Sequence, residues 1–254
     1  MPSDPRPDPA PLRVALLRLT IDPVRLATAA AALAEAERAR AERFVQAADR
    51  ARHLLGRALA RHELARRLGV PGRTLRFVDD AQGKPGLGDA SLPASFNLAH
   101  SGDWIVCVTG DGTPVGVDVQ EHVPGMARPD DYGPVFGPRE RATIDAAHDA
   151  PTRIAAFARA WARKEALLKA VGTGLLTRLV AVDIVDGPQG PCWPVPDDAE
   201  TASTLAGAWT LRDLVVDNAH AGAVAWKATP GTTGAVGPAD AIEIVEIDAA
   251  ALGG

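Results

Sequence analysis

Leu64-Ala65-Arg66-Arg67-Leu68-Gly69 and Leu167-Leu168-Lys169-Ala170-Val171-Gly172 run in parallel in the two halves of the chain: apolar, apolar, basic, variable, apolar, glycine. A glycine after the last periodic residue is a helix stop. Working outward, Glu37-Arg38-Ala39-Arg40 precedes the first segment much as Arg139-Glu140-Arg141-Ala142 precedes the second. Each half reads as helix, helix, then strands, which is the signature of an internal repeat. The expected fold is α+β: a pseudo-two-fold pair of similar lobes, with a ligand site in the cleft between them.

The elements follow from local pattern. Arg13 to Leu19 alternates as a strand, and Val24 to Phe44 is one Ala-rich helix. Asp49 caps a second helix, Arg50 to Leu68. Arg73 to Val78 is a strand and Gln82 to Gly86 a turn. Ser95 to Leu98, Trp104 to Thr109 and Pro114 to Gln120 are short strands, with Gly110-Asp111-Gly112 as a hairpin turn between the last two. Pro138 to His148 and Thr152 to Val171 are helices; Arg178 to Val185, Ala208 to Val216 and Ala221 to Ala228 are strands; Ala241 to Ile247 is an added edge strand. This divides the chain into a lead-in (1–11), an N-terminal lobe (12–121), a connector (122–136), a C-terminal lobe (137–229) and a linker with a tail packing as an extra strand (230–254).

Composition narrows the class. Apolar residues reach 46% while aromatics are only 4%, so Ala, Val and Leu must build the core. No apolar run is long enough for a membrane span, and the Pro-rich start lacks the apolar stretch of a signal peptide. Cys107 and Cys192 form no CxxC pair, which points to the reducing cytoplasm rather than to a disulfide or a zinc site. The net charge of −5 hides eleven arginines against four acids between Glu37 and Arg76. That run suits a solvated helical face, or a basic patch for a phosphorylated small molecule or an acidic protein.

Three segments carry candidate chemistry. In Phe157-Ala-Arg-Ala-Trp161-Ala-Arg-Lys164-Glu165-Ala-Leu-Leu168-Lys169-Ala-Val171, Lys164 falls inside the apolar stripe, with Glu165 and Lys169 one turn apart at its edge. A snorkelling Lys164 and an i,i+4 surface pair account for the same pattern. In Val115-Gly116-Val117-Asp118-Val119-Gln120, Asp118 and Gln120 share one strand face, half of a hard-cation site or a solvated polar edge. In Phe96-Asn97-Leu98-Ala99-His100-Ser101-Gly102, a strand end aims His100 and the Ser101 turn at a phosphate, or is a polar turn.

Together with Gly83-Lys84-Pro85, these motifs resemble the surfactin-synthetase-type (Sfp-type) 4′-phosphopantetheinyl transferases over about Glu37 to Lys227. The resemblance implies transfer of phosphopantetheine from coenzyme A to a serine of an apo acyl or peptidyl carrier protein, releasing adenosine 3′,5′-bisphosphate. It implies Mg²⁺, or Mn²⁺, on Asp118, Glu165 and Gln120, with catalysis by Glu165, Lys169 and Asp118. It places Arg40, Arg52, His100 and Ser101 near the 3′-phosphate, Lys84 and Pro85 near the adenine, and Lys164 and Lys169 on the phosphates. Gln120 departs from the family's frequent glutamate, so a catalytically weak or inactive binder of coenzyme A and carrier is the alternative. The partners implied are carriers of polyketide or non-ribosomal peptide synthases, met by a cytoplasmic monomer at the connector around Val135 and Phe136. Neither nucleic acid nor a membrane is an expected partner.

Overall fold

The computed structural model describes residues 12–80, 84–128, 135–172, 179–187, 190–192, 202–203, 205, 209–227 and 242–253. In chain order the elements are β1 (Leu12–Arg18), α1 (Pro23–Ala31), α2 (Glu35–Ala41), α3 (Ala47–Leu68), β2 (Phe77–Asp79), β3 (Pro85–Leu87), β4 (Ser95–Ser101), β5 (Trp104–Gly110) and β6 (Val115–Glu121). Then come α4 (Pro138–Asp145), α5 (Ala150–Val171), β7 (Val185–Gly187), β8 (Gly190–Cys192), β9 (Trp209–Asp217), β10 (His220–Lys227) and β11 (Ile242–Ile247). The fold is α+β.

The chain divides into two compact units. The first holds residues 1–96, 107–113 and 229–254, and the second 97–106 and 114–228. β6 falls in the second unit, where it pairs with β10 and packs against α5. β11 lies parallel to β1, from Leu12 opposite Ile242 to Leu17 opposite Ile247. The sheet order is β11-β1-β5-β4. As an inner strand, β1 is buried from Leu12 to Leu17, and it reads as a nearly continuous apolar run. The 3₁₀ helix Ala249–Gly253 packs on α1 and buries Leu252.

The single helix expected from Val24 to Phe44 is broken. The N–H of Ala32 turns back to Ala29, and the Glu37 carboxylate accepts the Ala34 N–H at 2.9 Å, restarting the chain as α2. Glu37 also receives Arg61 through Nε (3.0 Å) and Nη2 (2.7 Å). Arg61 Nη1 donates to the carbonyls of Gly72 (2.7 Å) and Leu75 (2.8 Å), and the Phe77 ring lies 4.8 Å from its guanidinium. Arg61 is only 2% exposed, and the planar five-donor fork makes that burial tolerable.

In the second unit, β6, β10 and β9 form an antiparallel sheet in that order, with Asp118 opposite Ala223. Ala162, Ala166 and Ala170 of α5 pack against Ala223 and Ala225, so the helix approaches closely. Both 22-residue helices stop at a left-handed glycine, Gly69 after α3 (φ 67°) and Gly172 after α5 (φ 85°). The hairpin expected between β5 and β6 is absent: β5 lies beside β1 and β4, and β6 beside β10. The tight turn instead joins β4 to β5 at Gly102, whose φ of 51° suits the first central position of a hairpin turn. No helix among the described residues is long and apolar enough to cross a membrane.

Replacing Arg61 by Leu leaves the Glu37 carboxylate with its charge uncompensated and takes the guanidinium donor from the carbonyls of Gly72 and Leu75, of which Gly72 keeps the Leu75 N–H. A loss of about 3–5 kcal/mol is expected, read as a lower urea midpoint at an unchanged m-value.

Candidate active site

Gly116 is the point of closest approach between strand and helix. A Cβ there would lie 2.1 Å from the Ala166 carbonyl oxygen and 2.4 Å from the Ala170 nitrogen of α5. Two residues along the same face of β6 stands Asp118, which is 7% exposed. Lys169 reaches it from α5: Nζ donates to Asp118 Oδ1 at 2.6 Å and to the Val117 carbonyl at 3.3 Å. Glu165 lies one turn earlier on α5 and is half-buried.

Electrostatics couple the three groups. Burial raises the Asp118 carboxyl above the usual range, opposed by Lys169 and by the Val119 N–H. Burial also raises Glu165, with the Asp118 charge adding to the rise and Lys169 opposing it. Asp118 Oδ2 is buried and has no hydrogen-bond partner among the described residues. Two carboxylates that repel each other, one with an orphaned oxygen, fit a divalent cation taking hard oxygen donors. Gln120 is on the same face; its Nε2 donates to the Glu121 carbonyl (3.1 Å) and its amide oxygen is a further hard donor. Among the described residues no three His, Cys, Asp or Glu side chains form a metal cluster. Mg²⁺ needs no such cage, since substrate phosphate and water complete its shell.

The structure brings Asp118, Glu165 and Lys169 together, with Gln120 on the Asp118 face of β6. His100 is exposed at the end of β4, and Ser101 Oγ accepts the Glu121 N–H at 2.9 Å. In the first unit, Arg52 pairs with Asp49 at 2.9 Å, and Arg40 pairs with Asp79. Asp79 also takes Arg57 at 2.7 Å; burial would raise its carboxyl, but the two arginines hold it below the usual range. The basic run is therefore partly neutralised by its own partners. Lys84 and Pro85 line a pocket of about 430 Å³ with Val78, Asp79 and Phe96.

Two expectations are corrected. Lys164 does not face a ligand: it is buried, its ammonium 2.8 Å from Glu140 Oε2 and bonded to the Val182 carbonyl. Phe136 is no docking surface either, because it is fully buried with Ile144 against Phe157 and Trp161. Glu140 was not singled out from sequence, although Gly137-Pro138-Arg139-Glu140 carries the signal: proline in the first turn and glutamate at the third position. Its Oε2 accepts the Gly137 N–H at 2.8 Å, and Asp183 accepts the N–H groups of Arg139 and Glu140.

Residues 114–224 match the family model of the 4′-phosphopantetheinyl transferase superfamily, and residues 22–111 match that of 4′-phosphopantetheinyl transferase, N-terminal. The 4′-phosphopantetheinyl transferase of Bacillus subtilis is 32% identical over 190 residues, covering 69% of this chain and 81% of the relative. The 4′-phosphopantetheinyl transferase HetI of Nostoc sp. is 33% identical over 198 residues, covering 77% of this chain and 79% of the relative. The solved ACPS-CoA complex of Chronobacterium ammoniagenes aligns at TM-score 0.36 and 22% identity, over 46% of this chain and 98% of that one.

Gly116→Ala drives a methyl group into the α5 backbone. The helix must lift from β6, carrying Glu165 and Lys169 away from Asp118. A stability loss of about 1–3 kcal/mol, seen in chemical unfolding, should accompany loss of any activity that depends on the three residues.

Proposed function

This chain belongs to the 4′-phosphopantetheinyl transferase superfamily, and on that premise we propose that Asp118, Glu165 and Lys169 carry the transfer. The reaction moves the 4′-phosphopantetheine group of coenzyme A to a serine hydroxyl of an apo carrier protein and releases adenosine 3′,5′-bisphosphate. The observation that carries the assignment is the Lys169–Asp118 contact, 2.6 Å, beside a second carboxylate and an orphaned Asp118 oxygen.

The serine oxygen attacks the phosphorus that bears the pantetheine arm, and the pyrophosphate bond to the nucleotide breaks. Such transfers are accelerated mainly by positioning and charge neutralisation. Glu165 accepts the serine proton; burial and the Asp118 charge raise its affinity for that proton. Lys169 opposes the rise that burial imposes on the Asp118 carboxyl and adds positive charge beside the pyrophosphate. Asp118 and Glu165, with the Gln120 amide oxygen, would hold Mg²⁺, which when bound neutralises pyrophosphate charge. His100, Ser101, Arg40 and Arg52 are assigned to the 3′-phosphate, and Lys84 and Pro85, at the 430 Å³ pocket, to the adenine end. The polar end of β4 and the helical arginines support the first assignment, and the pocket beside Pro85 the second.

The proposed substrates are carriers of polyketide or non-ribosomal peptide synthases, and the proposed setting is the cytoplasm. The free, buried Cys107, whose thiol burial pushes well up, suits a reducing compartment.

Intact-mass spectrometry tests the reading. An apo carrier incubated with the chain, coenzyme A and Mg²⁺ should gain one phosphopantetheine, and a chelator should stop the gain. Glu165→Gln should slow transfer by about 10²–10⁴-fold while coenzyme A still binds. Binding without transfer by the native chain, across several carriers, would instead make it an inactive binder.

A further inference from the structure

The turn that follows His100 rests on two buried rings joined by a partly exposed carboxylate, outside the transfer site. His220, the first residue of β10, has a side chain only 5% exposed. Its Nδ1 lies 2.8 Å from Asp217 Oδ1. Asp217 Oδ2 accepts the indole N–H of Trp104 at 2.8 Å, and Asp217 Oδ1 accepts the Ala219 N–H at 2.8 Å. Burial would raise the Asp217 carboxyl, but these donors bring it down to about 2, so it stays ionised and Nδ1 carries the proton it donates. The Nδ1 contact to Asp217 and the burial of the ring together fix its orientation.

That orientation points the other nitrogen at the turn. A Cβ on Gly102 would lie 2.6 Å from His220 Nε2 and 2.8 Å from Glu121 Oε2, so the Gly102 backbone sits directly on the imidazole and the carboxylate. On one side of Gly102, Ser101 Oγ is fixed by the Glu121 N–H. On the other, Trp104 is fixed by Asp217. The two flanks of the turn are therefore tied to the ends of β6 and β9, at Glu121 and Asp217, and His220 at the start of β10 pairs with both. His100, exposed and next to Ser101, has its backbone set by these ties.

We propose that Trp104, Asp217 and His220 are positioning residues that hold the His100 turn for recognition of the 3′-phosphate of coenzyme A. This rests on the assignment of His100 to that phosphate. The groups touch no reacting atom, so they act on discrimination between ligands and not on the chemical step. Removing the imidazole leaves Gly102 without its floor and Asp217 without one of its donors. The turn then samples other conformations, and the interaction with the 3′-phosphate is lost uniformly from ground and transition states, which raises KM at constant kcat.

Steady-state kinetics with coenzyme A and with 3′-dephospho-coenzyme A, on one apo carrier, separate the possibilities. His220→Ala should raise the KM for coenzyme A about tenfold. The kcat, and the KM for the dephospho substrate, should stay within about twofold. Equal KM rises for both substrates, a fall in kcat alone, or no change at all would overturn the proposal. Should His220→Ala not fold, Trp104→Phe carries the same test, since it keeps an aromatic ring at the site and removes the N–H to Asp217. His100→Ala is the control. If it leaves the preference for coenzyme A over the dephospho substrate intact, the assignment of His100 itself fails. If it abolishes the preference while His220→Ala and Trp104→Phe retain it, only the positioning role fails.

Discussion

The contact between the α5 backbone and Gly116 constrains everything else in the second unit. Ala166 and Ala170 straddle the glycine. Each follows directly on a residue of the proposed site, Glu165 and Lys169. Helix and strand can therefore not separate without moving both charged side chains away from Asp118. Alanines at 162, 166 and 170 allow the approach, and Ala223 and Ala225 of β10 continue it across the sheet. Close packing of small side chains is felt at the scale of one methyl group, so the placement of the charges inherits the precision of the core.

The rotation of α5 is set by three consecutive charged residues pointing three ways. Arg163 donates to Asp213 on β9 (2.7 and 2.6 Å) and to Asp186 on β7 (2.6 Å). Lys164 turns to Glu140 at the start of α4. Glu165 lies where it feels the charges of Asp118 and Lys169. At about 100° per residue, a rotation of the helix would break the buried Lys164–Glu140 pair and the Arg163 contacts together. Removing one partner of a buried pair costs several kcal/mol. The first two contacts thus hold the third in register, although neither belongs to the site.

Much of this was legible in the sequence where a local rule decides it. The stop glycines Gly69 and Gly172 mark the ends of α3 and α5, and the alternation of Val115, Val117 and Val119 puts Asp118 and Gln120 on one face. Reading failed where the deciding partner is distant in sequence. Alanine propensity runs straight through Val24 to Phe44, but the Glu37 carboxylate that restarts α2 is fixed by Arg61 on α3. Gly110 to Gly112 looks like a hairpin turn, yet β6 finds β10 from the far end of the unit. The Trp104–Asp217–His220 chain spans 113 residues between its first two members, and no spacing rule joins them.

Lys164 and Lys169 show why motif and role part company. Both lie on one helix, both meet a carboxylate, and the family resemblance puts both on the phosphates, with Lys169 alone also catalytic. The Lys164–Glu140 pair is closed: its side chains are 2% and 0% exposed, and one charge cancels the other. The neighbouring Asp183 is offset by the N–H groups at the start of α4. The Lys169–Asp118 pair is more open, at 27% and 10%, and it is not balanced, because Glu165 adds a second negative charge. A closed neutral pair has nothing to offer a ligand and serves the fold. An accessible cluster with a surplus carboxylate is costly unless something positive completes it, and the proposed metal ion would answer that cost where a further lysine would only have sealed the site.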